Sequence, residues 1–437
     1  MKTQAMRSWL DCLKEENLLK SVTREVDPEY ELSAVAKKLD GLAAVRFENI
    51  HGHQMPVVVN LCGSRELFAK ALGTDVLGMI PKFIGDLSRP KPCREVPKAQ
   101  APVKQNVIIE NIDLLNMFPI PIHHEKDGGK YITAGVLIAR STETGARNLS
   151  IHRLQVTGKN RLGILILPRH LSHFFQIAER AGHPLEVAIA IGLDPVTLLA
   201  SQAITPLGVD EMEIASALRG EALEVVKCET VDLEVPAHAE IVLEGRLLPN
   251  IREAEGPFGE YPKYYGPAGM KPVIEVTAVT HRDDPIYQTI LPASKEHILL
   301  GGIPREATLF QLVQQMVPTV QAVNLTLGGT CRYHAVISID KRHEGEGKNA
   351  IFAAFTSSQE VKHVVVVDKD VDVFDMEEVE WAIATRCQAD KDVFIVPGTL
   401  ASKLDPSTED GIGAKMGIDA TCPLNAPPGR FERIKIP

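Results

Sequence analysis

The spacing of apolar residues changes character twice along the chain. Up to about residue 90, helical and strand periods alternate. Trp9, Leu10, Leu13 and Leu18 in "MRSWLDCLKEENLLK" predict an amphipathic helix. "ELSAVAKKLDG" predicts a second helix stopped at Gly41, and "MPVVVNLC" a buried strand. "SRELFAKALG" predicts a third helix with Ser64 as N-cap and Gly73 as stop. That alternation predicts an α/β layer. Residues 89–105, with four prolines and several basic side chains, read as a linker.

From about 107 to 300 strand patterns dominate: "GVLIARS", "LSIHRLQVTG", "RLGILILP", "LEVAIAIGL", "AEIVLEGRLL", "PVIEVTAVTH" and "PIYQTILP". Two helices, "HLSHFFQIAERAG" and "DEMEIASALRG", interrupt them. Many strands with few helices predict a closed or nearly closed barrel. From about 305 the alternation returns, with helices in "REATLFQLVQQMV" and "MEEVEWAIATR" and strands in "YHAVISI" and "VKHVVVVD". The Pro- and Gly-rich tail from "SKLDPSTEDG" onward reads as irregular. The expected class is α/β (α+β) in three parts: an N-terminal α/β domain with linker (1–106), a strand-rich domain (107–304), and a C-terminal α/β domain with tail (305–437).

Composition narrows this picture. The 437 residues are 44% hydrophobic, an ordinary globular value with room for two or three cores. A formal charge of −10 argues against a nucleic-acid partner, which requires basic patches for phosphate. No apolar run approaches the roughly 20 residues of a membrane span, and the first residues show no signal-peptide core. Seven scattered cysteines without a CxxC pair suit a reducing cytoplasm.

The stretch "REAEGPFGEYPKYYG" (252–266) sets Glu255 and Glu260 around a Gly-Pro-Phe-Gly turn that cannot be helical. Pro257 restricts the backbone and the two glycines permit unusual conformations, so the turn aims both acids. Phe258, Tyr261, Tyr264 and Tyr265 would desolvate the carboxyls and raise their pKa toward neutral-pH acid catalysis; the alternative is a solvated surface turn. In "GARNLSIHRLQVTG", strand parity puts Asn148, Ser150 and His152 on one face and Arg153 on the other, and a buried Arg153 needs a carboxylate partner. "LPRHLSHFF" offers Arg169, His170 and His173; the histidine spacing suits a metal, yet no HExxH is present. Glu211 and Glu213 begin a helix, where the dipole favours acids in any case. No GxSxG elbow or Walker loop occurs, and "GIGAKMG" only partly matches a glycine-rich nucleotide loop.

In order along the chain, "DGGKYITAG" (127–135), "RNLSIHRLQ" (147–155), "PRHL" (168–171), "VDEMEIASALRGE" (209–221), "VPAHAEIVLEG" (235–245), "EGPFGEY" (255–261) and "GAKMGIDAT" (413–421) resemble the UbiD family of prenylated-FMN-dependent decarboxylases. The resemblance implies a split β-barrel flavin domain between the N-terminal α/β domain and a C-terminal dimerising domain. It places the family's catalytic Glu-Arg-Glu trio on Arg153, Glu255 and Glu260. Glu255 would orient Arg153 and Glu260 would carry the proton. It implies Mn2+ or Mg2+, with room for K+, on Asn148, His170 and Glu211, with Glu213 the rival to Glu211. It puts Thr133, Arg169, His170, Ser201 and Lys415 at the cofactor. Asn148 and Arg153 line one site only if the strand twists, bulges or begins after Asn148.

Cleaving CO2 from an sp2 carbon requires an electron sink that no side chain supplies. In the family this is prenylated FMN, through a covalent adduct with the substrate. Lys295, His297 and Arg305 follow the last expected barrel strand and would bind a second carboxylate or a phenol oxygen. Alternatively, Arg305 begins a surface helix and pairs with Glu306 or Glu296. The first reading makes reversible decarboxylation of furan-2,5-dicarboxylate to 2-furoate the expected reaction. Pyrrole-2-carboxylate and hydroxybenzoates are alternatives. The expected partners are a small aromatic or heteroaromatic acid, a flavin prenyltransferase that supplies the cofactor, and copies of the chain in a homodimer or hexamer, with no nucleic acid and no membrane. A flavin carrier, a metal hydrolase built on His170, His173 and Glu211, and a purely structural subunit are the rival classes.

Overall fold

The computed structural model describes residues 4–434. The chain divides into two compact units, one ending at Leu300 and one beginning at Gly301. In the first unit the helix Met6–Glu15 buries Met6, Trp9, Leu10 and Leu13, and the Trp9 indole N–H donates to Leu61 O at 2.8 Å. Ser64 caps Arg65–Ala71 by accepting from Leu67 N. Leu19–Val26 pairs in parallel with Ala44–Ile50, which pairs antiparallel with Val57–Val59.

The fourth strand of that sheet is Tyr287–Gln288, parallel to Val57–Val59. "PIYQTILP" therefore completes the N-terminal sheet and not the strand-rich one, a long-range pairing that local pattern does not encode. One apolar core runs through both sheets, joining Phe47 and Val57 to Leu137, Leu154 and Ile189.

The second sheet of this unit has nine strands, every pairing antiparallel. Its order is Tyr131–Ile132, Leu154–Gly158, Arg161–Ile164, Gly269–His281, Ile241–Glu255, Leu185–Ile191, Val136–Arg140 and Arg147–Ile151, with Asn106–Ile108 beside Gly269–His281. The expected single strand through "LSIHRLQVTG" is two strands, ending at Ile151 and restarting at Leu154. His152 and Arg153 form the break, which releases Arg153 from the parity that opposed it to Asn148. The strand Ile241–Glu255 runs fifteen residues and delivers Glu255 at its end.

In the second unit, Val320–Leu325, His334–Ile339, His363–Asp368, Ile412–Ala420 and Val393–Leu400 form a five-stranded mixed sheet in that order. The tail expected to be irregular thus contributes Ile412–Ala420, inserted between two strands. "REATLFQLVQQMV" belongs to a helix that starts ten residues earlier, Lys295–Met316, with Pro304 inside it. Gly301, Gly302 and Pro304 lower the local helix propensity of that first stretch.

The segment 89–105 is bound to the first unit. Arg94–Glu95 pairs with Glu224–Lys227, and the fully buried Lys104 amine meets Glu244 at 3.0 Å. Glu244 also accepts the N–H groups of Glu229 and Thr230. Lys104→Met would leave that carboxylate without its cation and is expected to lower unfolding free energy by ~3–5 kcal/mol in denaturant titration. A loss below about 1 kcal/mol would class the pair with exposed ones.

Candidate active site

Glu255 ends the long strand with no exposed side-chain surface. A Cβ at Gly163, two strands away in the sheet, would stand 3.2 Å from its Cγ, so glycine there leaves room for the Glu255 side chain. Arg153 Nη2 donates to Glu255 Oε2 at 2.8 Å, and Tyr131 OH donates to Oε1 at 3.2 Å. Burial and the Glu255 charge push the Tyr131 phenol far up, so it stays a donor.

Beyond Glu255 the chain turns through a cis Gly256–Pro257 bond into a two-residue ladder, Phe258–Gly259 against Tyr265–Gly266. Glu260 leaves that ladder, with its N–H on Tyr264 O at 2.9 Å. Its carboxylate receives Arg153 Nη1. Arg153 therefore spans both glutamates, with its Cζ 5.3 Å from the centroid of Phe258. Tyr264 and Tyr265 are exposed, whereas Phe258 and Tyr261 are buried, and the Phe258 ring lies 4.4 Å from that of Tyr131, tilted by 42°.

Burial would lower the pKa of Arg153, but Glu260 and Glu255 outweigh it and hold the guanidinium charged. Burial raises Glu260 above the usual carboxylate range; Arg153 opposes that rise, and Glu255 and Asp127 add to it. Arg153 Nε is buried and has no hydrogen-bond partner among the described residues. The arrangement can hold an anionic or carbonyl oxygen at Nε and store a proton on Glu260.

A second cluster gathers Asn148 and Glu211. Asn148 Nδ2 donates to Glu211 Oε1 at 3.2 Å, Leu149 N to Oε2 at 2.8 Å, and Thr205 Oγ1 to Oε1 at 3.0 Å. Burial lifts the Glu211 carboxyl to about 7. Asp210 caps the helix Glu211–Arg219 and so fixes the Glu211 backbone. His170 begins the helix His170–Arg180, and no hydrogen bond joins it to Asn148 or Glu211 among the described residues. No group of three His, Cys, Asp or Glu side chains forms a metal cluster there either. The Glu211 carboxyl, buried without a cation, and the adjacent Asn148 oxygen fit a hard divalent ion.

The other expected residues are placed as follows. Thr133 is buried, 2.9 Å from Thr289 Oγ1, and accepts from Ile290 N. Ser201, at the end of Pro195–Ala200, donates to Leu198 O. Arg169 is the exposed N-cap of His170–Arg180. Lys295 donates its backbone N–H to Asp40, and its side chain lies across Gly41. His297 Nδ1 accepts from Ala293 N at 3.0 Å. In the second unit, Arg305 pairs with Glu360 at 3.1 Å and not with Glu306 or Glu296. Lys415 donates to the carbonyls of Phe355, Ser358 and Val361, and burial lowers its pKa to about 8. Sequence reasoning missed Tyr131, Gln155 and Asp127; the motif "DGGKYITAG" was the signal that could have found Asp127 and Tyr131.

Comparison with known proteins identifies the family of this fold. The model described as the 3-octaprenyl-4-hydroxybenzoate carboxy-lyase N-terminal domain matches residues 10–87, the Rift-related domain 94–295 and the C-terminal domain 298–420. The chain is 43% identical to the anhydromevalonate phosphate decarboxylase of Methanothermobacter thermautotrophicus, covering 98% of this chain and 99% of that one. The structure of the UbiD-class enzyme HmfF from Pelotomaculum thermopropionicum in complex with FMN superposes with a TM-score of 0.98. Its identity is 64%, over 99% of this chain and 97% of that one. Klebsiella pneumoniae 3,4-dihydroxybenzoic acid decarboxylase gives a TM-score of 0.95 at 30% identity, covering 100% of this chain and 97% of that one. Fold and relatives make this protein a carboxy-lyase. The chain belongs to the UbiD family.

Thr133 is tied to the N-terminal sheet layer through His123, whose ring nitrogens contact Ser33 Oγ at 2.8 Å and Thr289 Oγ1 at 3.1 Å. Burial pushes the His123 imidazole down to about 3, against about 6.5 when unfolded. The unfolded chain binds the extra proton first, so this contribution to stability is complete above about pH 6.5 and is lost as pH falls toward 3. His123→Asn is expected to flatten the wild-type decline in unfolding free energy across that window. Parallel curves for the two proteins would contradict it.

Proposed function

We propose that this enzyme is a prenylated-FMN-dependent decarboxylase that acts reversibly on an aromatic or heteroaromatic acid, converting furan-2,5-dicarboxylate to 2-furoate. One observation carries the reading: Arg153 is buried, grips Glu255 and Glu260 at once, and keeps a buried Nε–H without a partner. A buried donor left unmet is costly, and a substrate carboxylate or a flavin carbonyl would satisfy it.

Glu255 fixes the Arg153 guanidinium in place with help from Tyr131. Arg153 orients the acid for loss of CO2, a positioning role. Glu260, its pKa lifted by burial, carries a proton and delivers it to the carbon that has lost CO2. Bound prenylated FMN supplies the electron sink that the side chains lack; solved relatives hold FMN and prenylated FMN. Thr133, Arg169 and Ser201 are the proposed flavin contacts of the first unit. Asn148 and Glu211, joined by His170, would hold Mn2+ or Mg2+; the contact between the first two supports this.

A second reading is favoured by the full-length identities of 43% and 42% to anhydromevalonate phosphate decarboxylases. A dicarboxylate and a phosphorylated acid share a second anionic group. Lys295, His297 and Arg305 are proposed to bind it.

The test is anaerobic purification after co-expression with a flavin prenyltransferase, followed by CO2 release from a panel of furan, pyrrole, hydroxybenzoate and phosphorylated unsaturated acids. Turnover of furan-2,5-dicarboxylate is expected; turnover of the phosphorylated acid alone would select the second reading. Glu260→Gln is expected to retain flavin and lose about 100-fold or more in kcat. Arg305→Gln is expected to raise KM about tenfold for the substrate with two anions and to leave a monoacid unaffected.

A further inference from the structure

We propose that Asp127 and Gly128 form a hook that holds the turn carrying Glu255 and Glu260 in its working geometry, with Asp127 a positioning residue for Glu260. The inference rests on the proton-carrying role of Glu260 proposed above.

The hook grips both sides of the turn. Asp127 Oδ1 accepts the N–H of Gly259, the residue before Glu260, at 2.9 Å. Gly128 N donates to Pro257 O at 2.7 Å. Gly128 O accepts from Gln155 Nε2 at 2.6 Å, while Gln155 Oε1 accepts the N–H of Gly256 at 2.9 Å. Four consecutive residues after Glu255 are thereby pinned or paired before Glu260 begins. The approach is too close for any other residue at 128: a Cβ there would stand 2.7 Å from the Gly256 carbonyl carbon. This accounts for an Asp-Gly pair in a stretch whose acid makes no contact with Arg153.

Asp127 is itself held firmly. Its side chain is 1% exposed, and Oδ2 accepts His124 N at 2.9 Å with His124 Nδ1 at 3.4 Å. The His124 ring packs edge-on against Tyr265, across the ladder from Gly259. Lys126 N donates to Tyr265 OH at 3.3 Å. Burial would raise the Asp127 carboxyl, but His124 and the Gly259 and His124 N–H groups bring it below the usual range, so it stays an anion.

That anion has an electrostatic effect as well. The charged and titratable groups acting on Glu260 are Arg153, Glu255 and Asp127; His124 acts on Asp127, which is coupled in turn to Glu260 and His123. A fixed negative charge disfavours the Glu260 carboxylate and favours its proton. Neutralising Asp127 would lower the pKa of Glu260. The activity that needs protonated Glu260 would then fail at a lower pH.

The experiment compares Asp127→Ala, Asp127→Asn and Gly128→Ala in flavin-loaded enzyme. Hydrogen exchange over residues 255–266 reads the hook without any chemistry. Asp127→Ala and Gly128→Ala are expected to speed exchange there by about tenfold or more, with exchange in Ile412–Ala420 unchanged. Their kcat is expected to fall about tenfold or more at unchanged flavin content, with KM within about twofold. Asp127→Asn keeps an oxygen for Gly259 N–H; it is expected to lose less kcat and to move the alkaline limb of the kcat profile to lower pH. Unchanged exchange over 255–266 in both alanine variants would overturn the hook. Faster exchange with kcat and the alkaline limb both unchanged would overturn the positioning role. Full activity in Glu260→Gln would instead overturn the proposed function, and the exchange result would still judge the hook.

Discussion

A guanidinium taken out of water must meet anions, and Arg153 meets two. Much of the first unit serves that requirement. The strand break at His152–Arg153 frees the side chain from strand parity. The fifteen-residue strand carries Glu255 to it, and the turn beyond returns Glu260 to its other edge. Gly163 clears space for the Glu255 side chain, and Phe258 lies over the Arg153 cation. The two carboxyls end in unequal environments: Glu255 wholly buried with two donors on it, Glu260 slightly exposed and lifted by burial. That inequality supports the proposed division between a fixed partner and a proton carrier.

What was legible in the sequence was local. Ser64 before an apolar helical period announces its cap, because a capping side chain bonds within three residues. The Gly-Pro-Phe-Gly turn announced that Glu255 and Glu260 were aimed together. The misses depended on distant partners. Tyr287–Gln288 finds Val57–Val59 from more than two hundred positions away, and Ile412–Ala420 becomes a strand only by insertion beside His363–Asp368. Asp127 reaches Gly259 across 132 positions, so nothing near it in the chain shows its purpose. The helix from Lys295 was hidden because Gly301, Gly302 and Pro304 weaken the local signal that the rest of the helix supplies.

In the proposed roles, the chemistry and the choice of acid fall to different parts of this chain. The Arg153 cluster would handle a carboxyl and a proton, which the different acids named for its relatives have in common. Discrimination has to come from groups that meet the remainder of the substrate. The three basic side chains proposed for that are each already engaged in the structure: Lys295 across Gly41, His297 with Ala293, and Arg305 with Glu360. A substrate anion would have to compete with those contacts, which favours a doubly charged ligand over a monoacid.

The most direct test of the central claim, that Glu260 moves the proton at the carbon that loses CO2, is isotope exchange in the reverse sense. Flavin-loaded enzyme is incubated with 2-furoate in D2O and followed by proton NMR. The account predicts that the wild type replaces the ring hydrogen at the position from which CO2 departs, and that Glu260→Gln with the same flavin content does not. Exchange at the wild-type rate in Glu260→Gln would contradict it.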